Sequence, residues 1–553
     1  MENSIRIIST HKVRLIIWIF IILLPFLMLW QGGDITDTGY NVSVYHFFFD
    51  RLSSGTTETL FFLSSLTGAI WYYFLPFSGV AGIKILGYLF LMAIVFLTSG
   101  FLNAQFPKRK TLNALLLLTS VVFCLRSFPL IFNYDVFTTF WFALLLWLLR
   151  KPGQWNFMKL ARAGFIIALL GLSRFPNFIF ILLFCGFLMF CQRKYPEILA
   201  RGMNPVKSVL TGFFAGLFIF ILGLFISGAD FAFFKDMQAL NLLNQDSSSY
   251  NFTHLLMIYA KDFGIFLVFL FVIFILYSFR KLLPGASSDS FLAVTTIFVV
   301  FLMISSYPVV LNYNHSIKYT VPATALVLLS HGRMSKHEKI FSWLLLMMAM
   351  TQTFGSNTGI FLKMNVITIL FLPFAVLVFM RHTASETFFV KGFILYIMTV
   401  SLLLISSGYY GVGYELFGRK SYTKTIEVSA YEGIHTTQKQ KTRIENFHQL
   451  IKRNATGKNQ MFIFGHAPMM YYLNSLEPAT DDYWLMGHRS ERINEITAEV
   501  PLSDHVLILE DQGIKLPEDS RNFFHLQLKN AGYYRSDSLG ELYIWKTQTN
   551  EEN

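Results

Sequence analysis

The amino-acid sequence predicts an all-α polytopic membrane protein with a small C-terminal α/β domain outside the membrane. Three observations lead there. Of 553 residues, 54% are hydrophobic and only 14% charged, with 60 Phe, more apolar surface than a soluble domain can cover. The apolar residues form runs of membrane-crossing length, separated by short basic clusters: "PKRK", "LLRK", "CQRK", "SFRK" and "HGRMSKHEK". From about residue 415 the runs shorten to strand length, "QMFIFG", "HVLILE" and "ELYIW", with helical patterns between them.

A formal net charge of +12 first suggests nucleic acid. The basic residues sit between apolar runs, however, the pattern of cytoplasmic loops and not of a nucleic-acid-binding face. Cys124, Cys185 and Cys191 all fall in apolar segments, so neither a disulfide framework nor a zinc site is visible. The basic start (Arg6, Lys12, Arg14) leads into an apolar run over 15–30 with no small-residue cleavage site after it, which reads as an uncleaved first helix.

Candidate spans follow at 13–30, 79–102, 111–127, 135–150, 158–173, 176–192, 207–227, 261–279, 290–310, 318–332, 339–354, 360–380 and 391–409. The segment "TLFFLSSLTGAIWYYF", 59–74, is also apolar enough to cross. The positive-inside rule decides against that, because a crossing there would flip every later loop and put the basic clusters outside. Residues 59–74 therefore read as an interfacial or re-entrant helix, with Trp71, Tyr72 and Tyr73 suited to the headgroup level. The result is about 13 spans, N-terminus cytoplasmic, in a membrane domain over 1–412 with interfacial helices within 38–75; residues 413–553 form the extracytoplasmic domain.

With that topology, the unusual polar stretches all fall on the outer face: "DITDTGYN", "RSFPLIFNYD", "SRFPN", "FKDMQALNLLNQDSSSYN", "NYNHSIKY" and "FGSNTG". Asp34 and Asp37 open the first of these. Tyr40, Val44 and Phe47 follow at helical spacing, suited to hold the chain against the membrane surface. A partly desolvated carboxylate there is placed to act as a base, although an acidic pair after a helix is also ordinary solvated loop. Asp135 stands at the outer end of the fourth span, where an ionisable residue is either functional or snorkels to the headgroups. Arg126 in the same loop either pairs with it or holds a phosphate. Arg174, before the helix-breaking Pro176 and the capping residue Asn177, either anchors a helix end at the headgroups or joins a phosphate site; Lys318 invites the same two readings. Asn312, Asn314, His315 and Asn357 suit sugar hydroxyls, or are simply loop residues. The chain has no HExxH, no Walker loop and no nucleophile elbow.

These motifs carry a resemblance. "DTGYNVSVYHFFFD" resembles the first outer loop of the GT-C glycosyltransferases, the superfamily of the protein O-mannosyltransferases and the lipid A aminoarabinose transferases. Asp37 takes the position of the family's catalytic acid. Thr38 stands where a second acid is common, so Asp34 takes over that role or nothing does. "RSFPLIFNYDVFTTFWFALLL" is similar to the family's loop between spans three and four, with Asp135 as its second acidic residue. "KYTVPATALVLL" resembles the Arg-Tyr-x-x-Pro motif with Lys318 replacing the Arg, which loses bidentate phosphate contact. "FIFGHAPMMYYLNSLEPAT", 462–480, looks like the start of the outer domain of bacterial members.

The resemblance implies inverting transfer of a sugar from a polyprenyl-phosphate donor to a lipid, glycan or protein acceptor on the outer face of the cytoplasmic membrane. It implies Asp37, Asp34 and Asp135 as catalytic residues, and Tyr40, Arg126, Arg174, Asn314, His315 and Lys318 as substrate-binding residues. If the transfer is metal-dependent, Asp37 and Asp135 would hold the divalent cation, magnesium or manganese. An O-antigen ligase or polymerase is the first alternative, but its large outer loop is usually internal and Arg-rich. A polyprenyl-linked glycan transporter or flippase is the second, but no paired halves with matching interrupted helices are visible.

Overall fold

A computed structural model of the chain describes residues 11–55, 59–75, 79–127, 130–153, 155–200, 202–239, 252–279, 324, 327–328, 330–356, 359, 366–382, 409–412, 415–418, 422–480, 485, 488–513 and 516–547. The chain divides into two compact units. One comprises residues 1–28, 87–226 and 256–411; the other comprises 29–86, 227–255 and 412–553. The second unit thus draws in the acidic loop after α1 (His11–Leu27) and its following helices along with the C-terminal tail.

The first unit is helical. Its described helices include α1 (His11–Leu27), the larger part of α4 (Gly79–Gln105), α5 (Lys110–Ser127), α6 (Tyr134–Leu149), α7 (Phe157–Ser173), α8 (Ile179–Lys194), α9 (Pro205–Ser227), α11 (Phe252–Phe279), α12 (Lys336–Thr353) and α13 (Thr368–His382). Every expected span lying wholly within the described residues coincides with a helix. The spans expected at 290–310 and 391–409, and most of 318–332, lie outside the described residues. Among the described residues, Gly79–Gln105, Phe175–Lys194 and Pro205–Ser227 are each long and apolar enough to cross a membrane. Their flanks carry large exposed apolar side chains, Leu182, Phe214, Phe218 and Ile226 among them. In water such faces would be untenable; against lipid they are neutral. The protein is an integral membrane protein.

Sequence punctuation sets the helix ends. Asn133 caps α6 by accepting from the amides of Asp135 and Val136, both at 3.1 Å. Ser335 and Glu338 form a reciprocal capping box at the start of α12. Packing between helices relies on glycine at two levels. A Cβ at Gly212 of α9 would stand 1.7 Å from the Ala161 carbonyl oxygen of α7, and one at Gly164 of α7 would stand 1.9 Å from that of Val209. The backbones of α7 and α9 therefore touch, as small-residue interfaces in membranes allow.

In the second unit, α2 (Asp37–Ser53) and α3 (Phe62–Phe74) pack closely, with the Tyr45 ring against Gly68. The 13 residues of α3 span roughly 20 Å, short of the ~30 Å apolar core of a bilayer. Helix α10 (Asp230–Ala239) closes on them, its Phe233 edge-on to Phe62. The C-terminal tail adds short strands β1 (Tyr409–Val412), β2 (Glu415–Gly418), β3 (Lys424–Thr425) and β4 (His435–Thr436). A sheet of β5 (Gln460–Phe464), β6 (Glu477–Pro478), β7 (Val506–Asp511), β8 (Tyr533–Leu539) and β9 (Leu542–Thr547) follows. Its order is β6-β5-β7-β9-β8, with β5 parallel to β6 and β7. One face buries Phe462, Phe464, Ile508 and Trp545 against Phe524 and Leu528 of α17 (Glu518–Asn530) and Ile493 and Ile496 of α16 (Ser490–Ala498). By strand alternation Asp511 points the other way, where Arg443 of α14 (Gln438–Asn454) pairs with it at 2.7 Å.

Candidate functional site

The acidic loop lies wholly within the second unit, and the structure separates its two carboxylates. Asp34 is buried, 6% exposed. Its Oδ1 accepts from the Thr36 amide at 3.0 Å and the Thr36 hydroxyl at 2.5 Å, and its Oδ2 accepts from the Thr38 amide at 2.8 Å. Those amides belong to the orphan donors at the start of α2, so Asp34 does the work of a helix cap from two residues upstream. Asp37 is the first residue of α2 and is exposed. The physical reason is the cap: with Asp34 folded under the first turn, the Asp37 side chain projects outward. Tyr40 lies on the next turn, half-buried, its amide donating to the Thr36 carbonyl at 2.7 Å.

Val44 and Phe47, expected to lean on the membrane, are instead buried within the protein. On another face α2 meets α15 (Met469–Asn474), where a Cβ at Gly39 would stand 2.4 Å from the Met469 amide nitrogen. Lys84 is buried beneath the loop, 1% exposed. It donates to the carbonyls of Gln31 and, at 3.2 Å, Gly32, within electrostatic reach of Asp34. His466, immediately after β5, is buried as well. Desolvation pushes its pKa down to about 4, with the Asp34 carboxylate opposing and Arg443 reinforcing the shift. Burial also raises the Tyr431 phenol, Asp34 and Tyr472 adding to it.

A second group of expected residues meets inside the first unit, at the ends of α6, α7 and α12. The Gln352 side chain donates to the Asp135 carbonyl at 3.4 Å and accepts from the Thr139 hydroxyl at 3.2 Å. Three of the expected outer segments, "RSFPLIFNYD", "SRFPN" and "FGSNTG", thus converge. Arg174 is where expectation and structure part. It is 2% exposed, and its guanidinium donates to the carbonyls of Gln352 at 2.8 Å and Phe354 at 2.7 Å, with Asn177 Oδ1 at 3.4 Å. The fork satisfies the orphan carbonyls ending α12, so it locks a helix end and is not an open phosphate clamp. Asp135 is half-buried in the first turn of α6. The loop leading to it reaches a left-handed backbone at Leu130 (φ 47°) and lies against Gly87, where a Cβ would stand 2.6 Å from the backbone of Ile131 and Phe132.

Arg126 ends in α5, and its side chain lies outside the described residues, as do Asn312, Asn314, His315, Lys318 and Asn357. Among the described residues no group of three or more His, Cys, Asp or Glu is arranged to hold a metal ion. Sequence reasoning passed over Lys84, Tyr431, Gln440 and His466. Lys84 was detectable: a single lysine inside "GVAGIKILGYLF" is an ionisable residue in an apolar run. His466 follows a strand directly, at the carboxyl end where α/β sheets place ligand-facing residues. Tyr431 and Gln440 carry no local signal.

No protein-family model matches the chain, and no curated protein matches it. Among solved structures, the chain is similar to ArnT from Cupriavidus metallidurans bound to undecaprenyl phosphate, with a TM-score of 0.41 and 10% identity over 96% of this chain and 98% of that one. It is likewise similar to the apo state of the same protein, with a TM-score of 0.41 and 11% identity over 96% and 97%.

Proposed function

We propose that the protein is a glycosyltransferase of the GT-C type, moving one sugar from a polyprenyl-phosphate donor to an acceptor hydroxyl at the outer face of the cytoplasmic membrane. The observation that carries the reading is Asp37: an exposed carboxylate fixed at the first turn of a helix whose entry is held by the buried Asp34. The partial positive charge of a helix N-terminus favours a carboxylate there. The acceptor hydroxyl passes its proton to Asp37 as its oxygen bonds to the anomeric carbon. The bond from that carbon to the phosphate oxygen breaks on the opposite side, and the electron pair leaves with the lipid phosphate. Configuration inverts in this single displacement. Asp34 positions the turn and Asp135 orients the acceptor. Arg126 and Lys318 are the cations proposed for the leaving phosphate.

The test is transfer of radiolabelled sugar from polyprenyl-phosphate donors by purified protein, with host membrane extract supplying acceptors. Wild type is expected to transfer, and Asp37→Asn to lose roughly 10²–10⁴-fold in rate while unfolding at the wild-type temperature. Full activity in Asp37→Asn would remove the base assignment. Absence of transfer from every donor, in an extract known to contain acceptor, would remove the reading.

A further inference from the structure

In an open α/β sheet, ligands settle beyond the carboxyl ends of the strands, where neighbouring strands send their connections in opposite directions. In the C-terminal sheet that point lies between β5 and β7. From β5 the chain runs through α15 to β6 on one side; from β7 it runs through α17 towards β8 on the other. Gly465 and His466 leave β5 there, and Asp511 ends β7 there, held by Arg443.

Residues 30–43 lie against this end of the sheet and the segments beside it. The Met469 amide donates to the Ile35 carbonyl at 3.2 Å, and the Ser43 hydroxyl donates to the Pro468 carbonyl at 2.7 Å. The Gly32 amide donates to His435 and the His435 amide to Trp30, at 2.8 and 2.7 Å. Gln440 donates its side-chain amide to the Gly33 carbonyl at 3.0 Å, and the Tyr431 hydroxyl donates to the Asp34 carbonyl at 3.4 Å. Gly33 lies close against Ile426 and Ile444, whose terminal methyls would stand 2.8 and 3.3 Å from a Cβ there. His466 and Asp34 interact electrostatically across the same gap.

We propose that the acidic loop is the resident occupant of this crevice, and that Gln440, Tyr431 and His466 of the C-terminal domain are positioning residues that set Asp37 for transfer. The domain is then a working part of the transfer site in addition to any role in acceptor capture. The inference rests on the reading of Asp37 as the base.

The experiment compares full-length wild type, Gln440→Leu and Arg535→Ala in lipid nanodiscs. Arg535 serves as the control because it pairs with Glu510 and stacks on Tyr543 on the far face of the sheet, away from the loop. Four quantities are read: kcat and KM for a polyprenyl-phosphate sugar, the unfolding temperature, and amide hydrogen exchange of residues 31–38. Gln440→Leu is expected to speed exchange in 31–38 and to lower kcat by about 10–100-fold with KM little changed, because a small displacement of a base costs rate and not binding. Arg535→Ala is expected to lower the unfolding temperature and leave kcat and loop exchange as in wild type. Unchanged loop exchange in Gln440→Leu overturns the proposal, and so does a kcat loss that Arg535→Ala reproduces at equal loss of stability. Should wild type transfer from no donor, the activity reading falls, and the exchange data alone still uphold or overturn the docking of the loop.

Discussion

His466 shows what one buried ring does to stability. Desolvation holds its folded-state pKa at about 4 against an ordinary 6.5, the Asp34 carboxylate pulling up and Arg443 pushing down. Folding therefore favours the neutral ring. Above pH ~6.5 both folded and unfolded chains carry it neutral, and its contribution is complete. As pH falls through the window from 6.5 to 4, the unfolded chain takes a proton that the folded chain refuses. Stability then drops by about 3 kcal/mol. Denaturant unfolding of wild type and His466→Asn between pH 4 and 8 should show a steeper acid decline in wild type; parallel curves would mean the ring is not held neutral. At this scale the sequence was partly legible. Asp34 and Asp37 stood out together, but nothing in "DITDTGY" tells the capping carboxylate from the exposed one, because that depends on which way the chain turns into α2. Arg174 looked like a phosphate ligand for the same reason. A guanidinium binds a carbonyl row and a phosphate with the same fork, and only the position of the end of α12 decides between them.

Among helices, the contact between α7 and α9 is the most demanding. Gly164 and Gly212 each face a carbonyl oxygen closer than any Cβ could stand, so a side chain at either must push the backbones apart. Gly212→Leu should cost about 1–3 kcal/mol of stability. Gly186→Ala in α8 is the contrast, since a Cβ there meets nothing within 4 Å, and helix propensity predicts a neutral or slightly favourable change. Thermal unfolding of the three proteins in one detergent checks both; a Gly212→Leu protein as stable as wild type would mean that the two backbones do not touch. Helices were the most legible level of this chain, since a long apolar run is written in composition alone. The interface between them was not, because "ARAG" in α7 and "LTGFF" in α9 differ from other small-residue stretches only in what happens to lie opposite.

On the scale of the whole molecule, the sequence places a boundary near residue 412, where apolar runs shorten to strand length, but carries no mark of the membership of the second unit. That unit gathers residues 29–86, 227–255 and 412–553, and no composition shift marks the first two as partners of the third. The distinction has a measurable consequence for the tail expressed alone. One side of its sheet is self-contained: Phe462, Phe464, Ile508, Phe524 and Trp545 all come from the tail itself. The other side is completed from elsewhere, with Gly33 against Ile426 and Ile444, and Gln440 and Tyr431 bonded to the loop backbone. A fragment of residues 422–547 should therefore unfold cooperatively but at a lower temperature than the same segment in the full protein. Amide exchange should be fast in 426–440 and slow in β5 and β7. A synthetic peptide of residues 29–43 added to the fragment should raise the unfolding temperature in proportion to its occupancy and slow exchange in 426–440 first. A fragment as stable as the full protein, and indifferent to the peptide, would show that the tail is an independent domain beside which the acidic loop merely rests.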